Sequence, residues 1–183
     1  LELLILTGSV KLIQDYAMPL TLGNECSGIV EEAGSKVTEF QKGDRVYTRL
    51  PLNKIGAFAE CVAVDQNAIA KMPEGYDFNT AAAIPLTGPN KAFAVKHHVS
   101  RFKKLLFTLA GSKYDKAAGK QGKEYRFLFV RSNGEQLKKI TEIVEKQRIM
   151  PAIDSRVFSL SQADKALQLV SKGPLNGKVI IQM

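Results

Sequence analysis

From Thr21 to Lys71 the apolar positions fall in short runs separated by turn residues, a pattern of short strands rather than helices. Gly28-Ile29-Val30-Glu31-Glu32 predicts one strand, followed by a turn at Ala33-Gly34-Ser35. Gly43-Asp44 predicts a tight turn leading into a second strand, Arg45 to Arg49, because an aspartate side chain can bond its own backbone there. Ala57 to Val64 alternates well enough for a half-buried strand, with Phe58, Glu60, Val62 and Val64 on one face and Ala57, Ala59, Cys61 and Ala63 on the other. Strands this short and closely spaced predict a small barrel.

After Pro73-Glu74-Gly75 the period lengthens. Asp77 or Asn79 can cap a short helix through Ala81 to Ile84, closed by Pro85. Phe102, Leu105, Leu106 and Leu109 recur at helical spacing and predict an amphipathic helix over Val99 to Leu109, followed by a basic, glycine-punctuated connection from Gly111 to Lys123. The last third reads as strand, helix, strand, helix, strand. Tyr125 to Arg131 is an apolar strand; Asn133 with Gln136 opens a helix carrying Leu137, Ile140 and Val144 that Pro151 ends. Arg156 to Leu160 is strand-like, Ser161 with Asp164 caps a helix that Gly173 stops, and Lys178 to Gln182 forms the final strand.

Composition changes this picture little. At 183 residues with 45% hydrophobic content the chain can bury a sizeable core as one large or two small domains. Cys26 and Cys61 stand far apart, so two small core residues are expected rather than a disulfide or zinc-finger set. No apolar run is long enough to span a bilayer, and Leu1 to Leu6 lacks a basic flank and cleavage site, so a soluble, reducing, cytoplasmic setting is expected. The net charge of +8 is uneven: residues 1 to 88 are acidic on balance and residues 89 to 148 strongly basic. Such a segment can be a solvated helix face, a dinucleotide-phosphate environment, or a nucleic-acid contact, though without any zinc-knuckle or RNP-like motif.

Three stretches, Gly23-Asn24-Glu25-Cys26-Ser27-Gly28, Gly43-Asp44-Arg45-Val46 and Gly56-Ala57-Phe58-Ala59-Glu60, together resemble the GroES-like barrel of the medium-chain dehydrogenase/reductase superfamily. Glu124 to Arg131 and Gly177-Lys178-Val179-Ile180-Ile181 resemble the last nucleotide-domain strand and the C-terminal strand of the same superfamily. The resemblance implies a mixed α/β fold. It consists of a GroES-like β-barrel substrate domain over residues 1–88, lacking the first barrel strands that should precede Leu1, and a remnant of a Rossmann-type nucleotide-binding domain over 89–150. A C-terminal segment, 151–183, returns to the substrate domain. Between Gly88 and Pro89 the chain passes straight on where a Rossmann core of about 150 residues would be expected.

The resemblance also implies chemistry. In the zinc-dependent branch the position of Asn24 is a zinc-ligating histidine; an amide is a poor ligand beside imidazole or thiolate, so no metal is expected. His97 and His98, being adjacent, diverge on a helix or a strand and do not form a ligand pair. What remains resembles the zinc-free quinone and enone reductases, which pass hydride from NADPH to an activated C=C or quinone. Carried over by residue, Asn24 and Glu25 face the substrate cleft. Thr87, Phe129, Val130, Asn176 and Lys178 lie toward the cofactor. Some have a plainer alternative: a hydrogen-bonding structural role for Glu25, core positions for Phe129 and Val130, and an ordinary turn at Asn176-Gly177. No Gly-x-Gly-x-x-Gly loop is present, so NADP(H) is expected in the complete protein but not tightly bound by this chain alone. A small carbonyl or quinone substrate and a possible homodimer follow from the same resemblance; a membrane partner does not, and nucleic acid is disfavoured. The alternative readings are a non-catalytic, truncated scaffold that pairs with a partner chain, and a phosphate- or nucleic-acid-binding module through residues 89–148.

Overall fold

The computed structural model describes residues 2–9, 15–85 and 132–183. The expected helix over 99–109, the basic connection, the strand over 125–131, the Gly88-Pro89 join and the His97-His98 pair lie outside the described residues. All the described residues lie in the first of the two units into which the chain divides.

Within the first unit, a short helix α1 (Glu2–Leu6) precedes an antiparallel sheet of three strands in the order β1 (Glu25–Ile29), β2 (Arg45–Arg49), β3 (Ile69–Lys71). The register sets Glu25 opposite Arg49, Ser27 opposite Tyr47 and Ile29 opposite Arg45; β3 pairs Ile69 with Thr48 and Lys71 with Val46. Arg45 to Arg49 is a strand as expected. The strand read over 28–32 sits earlier, because the Gly43 turn closes back on Val30 through bonds at 2.8 and 2.9 Å and leaves Glu31 and Glu32 exposed.

The strand expected from Ala57 to Val64 does not form. Its opening backbone donors are spent elsewhere: Gly56 and Ala57 both donate to the Gly23 carbonyl, at 3.0 and 3.1 Å, and Phe58 donates to the Leu22 carbonyl at 2.8 Å. The segment therefore crosses the Leu22–Asn24 backbone, and Cys61, expected in the core, is exposed. The third strand instead follows a 3-10 turn, Gln66–Ala68, capped by Asp65.

Asp77 caps the short helix α2 (Phe78–Ala82), accepting from the Thr80 N–H at 2.7 Å. Asn133 likewise caps α3 (Gly134–Gln147) through the Gln136 N–H at 2.8 Å. Leu137 and Val144 of α3 are buried with Tyr47, Met72 and Ala81, while Ile140 packs against them half-buried. Tyr47 is fully buried; its hydroxyl lies 2.7 Å from Thr141 Oγ1 and 3.1 Å from the Leu137 carbonyl. This contact ties α3 to the sheet, so the sequence after residue 131 contributes to the core of the sequence before 86.

Pro151 does not end α3. The helix stops at Gln147 because Arg148 adopts a left-handed conformation (φ 50°) and Ile149 donates back to the Val144 carbonyl at 3.0 Å. Beyond it, β4 (Ile153–Ser159), α4 (Ala163–Lys172) and β5 (Lys178–Gln182) make a strand–helix–strand unit whose strands pair in parallel. Parallel pairing needs such a crossover. The strand expected at Arg156 begins three residues earlier. The cap of the following helical stretch is Ser159 with Gln162, not Ser161, because the Gln162 side chain reaches back 3.2 Å to the Ser159 N–H. Gly173 stops α4 and β5 spans the expected residues. The fold is mixed α/β, with the antiparallel sheet and the parallel pair in one unit.

Candidate functional site

The site begins at Gly23, whose φ of +102° and lack of a side chain allow the Ala57–Phe58 backbone to lie against it. That crossing covers Asn24, which is 2% exposed, and its backbone carbonyl takes the Leu50 N–H at 2.7 Å. The Asn24 amide nitrogen donates to Glu2 Oε1 at 2.8 Å. Burial raises the Glu2 carboxyl, but the hydrogen bond from Asn24 and the surrounding backbone and charge outweigh it and hold it below its ordinary value. An ionised carboxylate only accepts, so the amide orientation is set by chemistry: NH2 toward Glu2, carbonyl away. Oδ1 of Asn24 is then a buried acceptor without a hydrogen-bond partner. Leaving such a group unmet costs about 1–3 kcal/mol.

Next along β1, Glu25 lies opposite Arg49 and accepts a 2.6 Å hydrogen bond from Lys178 Nζ at the start of β5. The pair is largely sequestered, at 25% side-chain exposure for Lys178 and 15% for Glu25. Arg49 is buried at 6% exposure; desolvation lowers its guanidinium, countered by Glu25, Tyr16 and Glu2. Its carbonyl accepts from Ser132 Oγ. Half-buried Tyr16 is raised first by burial, against the pull of Arg49. The Cys26 thiol is pushed up to about 11 by burial and then by Glu25. Glu25 and Glu2 both act on the Arg49 guanidinium, and Glu25 also holds Lys178, so two carboxylates and two cations offset one another in this region.

Behind Lys178 stands a second arrangement. Asp154, 1% exposed, takes both Nε and Nη2 of Arg156 at 2.6 Å, the Arg156 N–H at 3.1 Å, and the Asn176 N–H at 3.2 Å. These bonds, the Arg156 side chain first, hold its carboxyl well below the usual carboxylate range.

Of the residues singled out from sequence, the structure brings Glu25 and Lys178 into contact and places Asn24 beside Glu25. Asn176 is exposed and held through its backbone N–H. Thr87, Phe129 and Val130 lie outside the described residues. Glu2, Tyr16, Arg49 and Asp154 had not been singled out. The Asp154-x-Arg156 spacing, two residues apart on a strand and hence on one face, was a legible signal; the Glu25–Arg49 pairing depends on register and carried none.

Among the described residues no three His, Cys, Asp or Glu side chains are placed to hold a metal ion. Lys178 is engaged by a carboxylate, so a phosphate brought to it would meet Glu25 as well. Among the described residues, no helix is long and apolar enough to cross a membrane.

Comparison with known proteins places the chain. Residues 2–74 match the model for the alcohol dehydrogenase GroES-like domain, and residues 67–181 match that for the zinc-binding dehydrogenase family. The chain is 44% identical over 68 residues to the synaptic vesicle membrane protein VAT-1 homolog of Danio rerio, 37% of this chain and 13% of that protein. It is 43% identical over 72 residues to a quinone oxidoreductase of Pseudomonas aeruginosa, 39% of this chain and 21% of that protein. The matched stretches therefore span well under two thirds of these relatives. An alcohol dehydrogenase superfamily protein from Novosphingobium aromaticivorans shares the fold with a TM-score of 0.69 at 16% identity, covering 100% of this chain and 87% of that one. The quinone oxidoreductase from Coxiella burnetii does so with a TM-score of 0.66 at 19% identity, over 97% and 82%. With more than half its residues matched by the family model, the chain belongs to the zinc-binding dehydrogenase family of the medium-chain dehydrogenase/reductase superfamily, a GroES-like domain joined to a partial Rossmann-like region.

Proposed function

We propose that this chain supplies the acceptor-binding side of a zinc-free, NADP(H)-dependent oxidoreductase acting on a quinone or an activated C=C bond. Family membership carries the coarser part, oxidoreductase chemistry with NAD(P). Relatives named quinone oxidoreductase, from Pseudomonas aeruginosa and human, support the finer part.

The observation that carries the reading is Asn24. Its NH2 is committed to Glu2, and its carbonyl oxygen is buried and unmet. Reduced nicotinamide would supply a hydride when bound; with a proton from solvent, a quinone would become a hydroquinone whose hydroxyl can donate, whereas reduction of an activated C=C leaves its carbonyl in place. A ligand hydroxyl that reached Oδ1 would satisfy it, which the unreduced carbonyl, having no proton to give, could not do. The offset charges of Glu2, Glu25, Arg49 and Lys178 suit an uncharged ligand better than a phosphate. The donor set argues for the zinc-free reading: an amide, a carboxylate already held by an ammonium, and a thiol whose pKa is raised to about 11 are poor partners for a metal bound by thiolate, imidazole or free carboxylate.

The test is a ligand-observed NMR titration of the 183-residue chain with 1,4-dihydroxynaphthalene against its dimethyl ether, with EDTA and with added zinc. The hydroquinone should bind about tenfold more tightly than the ether, a margin that Asn24→Leu removes and zinc does not change. Equal binding of the two compounds, or binding that appears only with zinc, would overturn the reading.

A further inference from the structure

The sequestered Lys178–Glu25 pair needs an explanation of its own, because a long, flexible lysine side chain loses rotamer entropy on being fixed. Its backbone is held from behind. Lys178 N–H donates to the Ala152 carbonyl at 2.9 Å, Ile153 lies opposite Lys178 in the parallel pair, and Gly177 passes so close to Ala152 that a Cβ there would lie 2.3 Å from its oxygen. The remaining anchor of that turn is the Asn176 N–H, and it goes to Asp154. Asp154 is itself locked by two charge-assisted bonds from Arg156 at 2.6 Å. A carboxylate this buried, with the turn's N–H as one of its partners, controls where the turn sits.

We infer that Asp154, clasped by Arg156, is a positioning residue of the candidate site: it pins the Asn176–Gly177 turn and so sets the Lys178 ammonium on the Glu25 carboxylate beside Asn24. The inference rests on the acceptor-site reading for its functional meaning, but the placement of Lys178 can be measured without any ligand. Asp154 touches no reacting atom. Its influence passes through the turn.

The experiment is competitive acylation of the folded 183-residue chain, read lysine by lysine by mass spectrometry, with exposed Lys42 as the internal reference. In Asp154→Asn the Lys178 ammonium loses its fixed partner geometry and should react about fivefold faster, the change expected for a loss near 1 kcal/mol, while Lys42 is unchanged. Arg156→Gln, on a half-exposed side chain, loosens the clasp without removing the buried carboxylate and should give a smaller increase in the same direction; it serves if Asp154→Asn fails to fold. With 1,4-dihydroxynaphthalene as the probe, Asp154→Asn combined with Lys178→Gln should weaken binding no more than Lys178→Gln alone. A merely structural role would make the two effects add. Unchanged Lys178 labelling in the folded variants, or additive losses, overturns the positioning role. Failure of the wild-type chain to bind the hydroquinone, with the labelling change present, overturns the acceptor-site reading and leaves the clasp standing.

Discussion

Replacing Gly23 by alanine puts a methyl group where the backbone of another segment already lies. The new Cβ would stand 2.6 Å from the Phe58 nitrogen, 2.7 Å from Phe58 Cδ1 and 2.9 Å from the Ala57 carbonyl carbon, at a φ of +102°. The ring can turn away; the backbone cannot do so without opening the bonds that hold it. The unfavourable φ alone costs about 1–2 kcal/mol. Moving the 56–58 segment stretches its bonds to the Leu22 and Gly23 carbonyls, at 2.8 to 3.1 Å, each worth about 1 kcal/mol. A total loss of about 3–5 kcal/mol follows, a large share of the 5–15 kcal/mol typical of a folded domain. With no tryptophan in the chain, urea unfolding is best followed by circular dichroism and tyrosine fluorescence. Gly28→Ala is the control, since nothing lies within 4 Å of its Cβ position, and it should change stability by less than about 0.5 kcal/mol. A Gly23→Ala loss below about 1 kcal/mol at unchanged denaturant slope would refute the argument that this crossing is rigid.

Three further outcomes follow from the core and from Cys26. Tyr47→Phe removes the hydroxyl that meets Thr141 and the Leu137 carbonyl in a fully buried place, and should cost about 1–2 kcal/mol in urea unfolding; a neutral effect would mean that α3 is held by packing alone. At mildly alkaline pH a disulfide reagent should titrate exposed Cys61 at once and Cys26 at least about tenfold more slowly, because thiolate is the reacting form and the Cys26 pKa is raised to about 11. The same shift predicts that its contribution to stability is complete below its ordinary value of 9.0 and is lost as pH rises through about 11, since the unfolded chain gives up that proton first. Equal reactivity of the two thiols would show that Cys26 is not desolvated.

Much of the local structure is determined by the sequence itself, wherever a single short-range rule decides. Asp77 and Asn133 cap their helices, Gly173 ends α4, and Arg45–Arg49 and Lys178–Gln182 are strands, because capping bonds, turn conformations and strand patterning act within a few residues. The Gly-Asn-Glu text at 23–25 likewise pointed to the region where the polar cluster lies. Other features were decided only by contacts between distant segments. Ala57–Val64 alternates like a strand, yet its first donors are claimed by Leu22 and Gly23, more than thirty residues away in sequence. Pro151 looked like the end of a helix that a left-handed Arg148 had already closed. The site shows the same division. Asn24 and Lys178 could be named from their motifs, but nothing short-range indicates that Lys178 would reach Glu25 across 153 positions, that Arg49 would lie opposite it, or that Glu2 would take the amide and leave its oxygen unmet. Side-chain pairing of that kind depends on strand register and on which backbone groups are already satisfied, and both are properties of the folded chain as a whole.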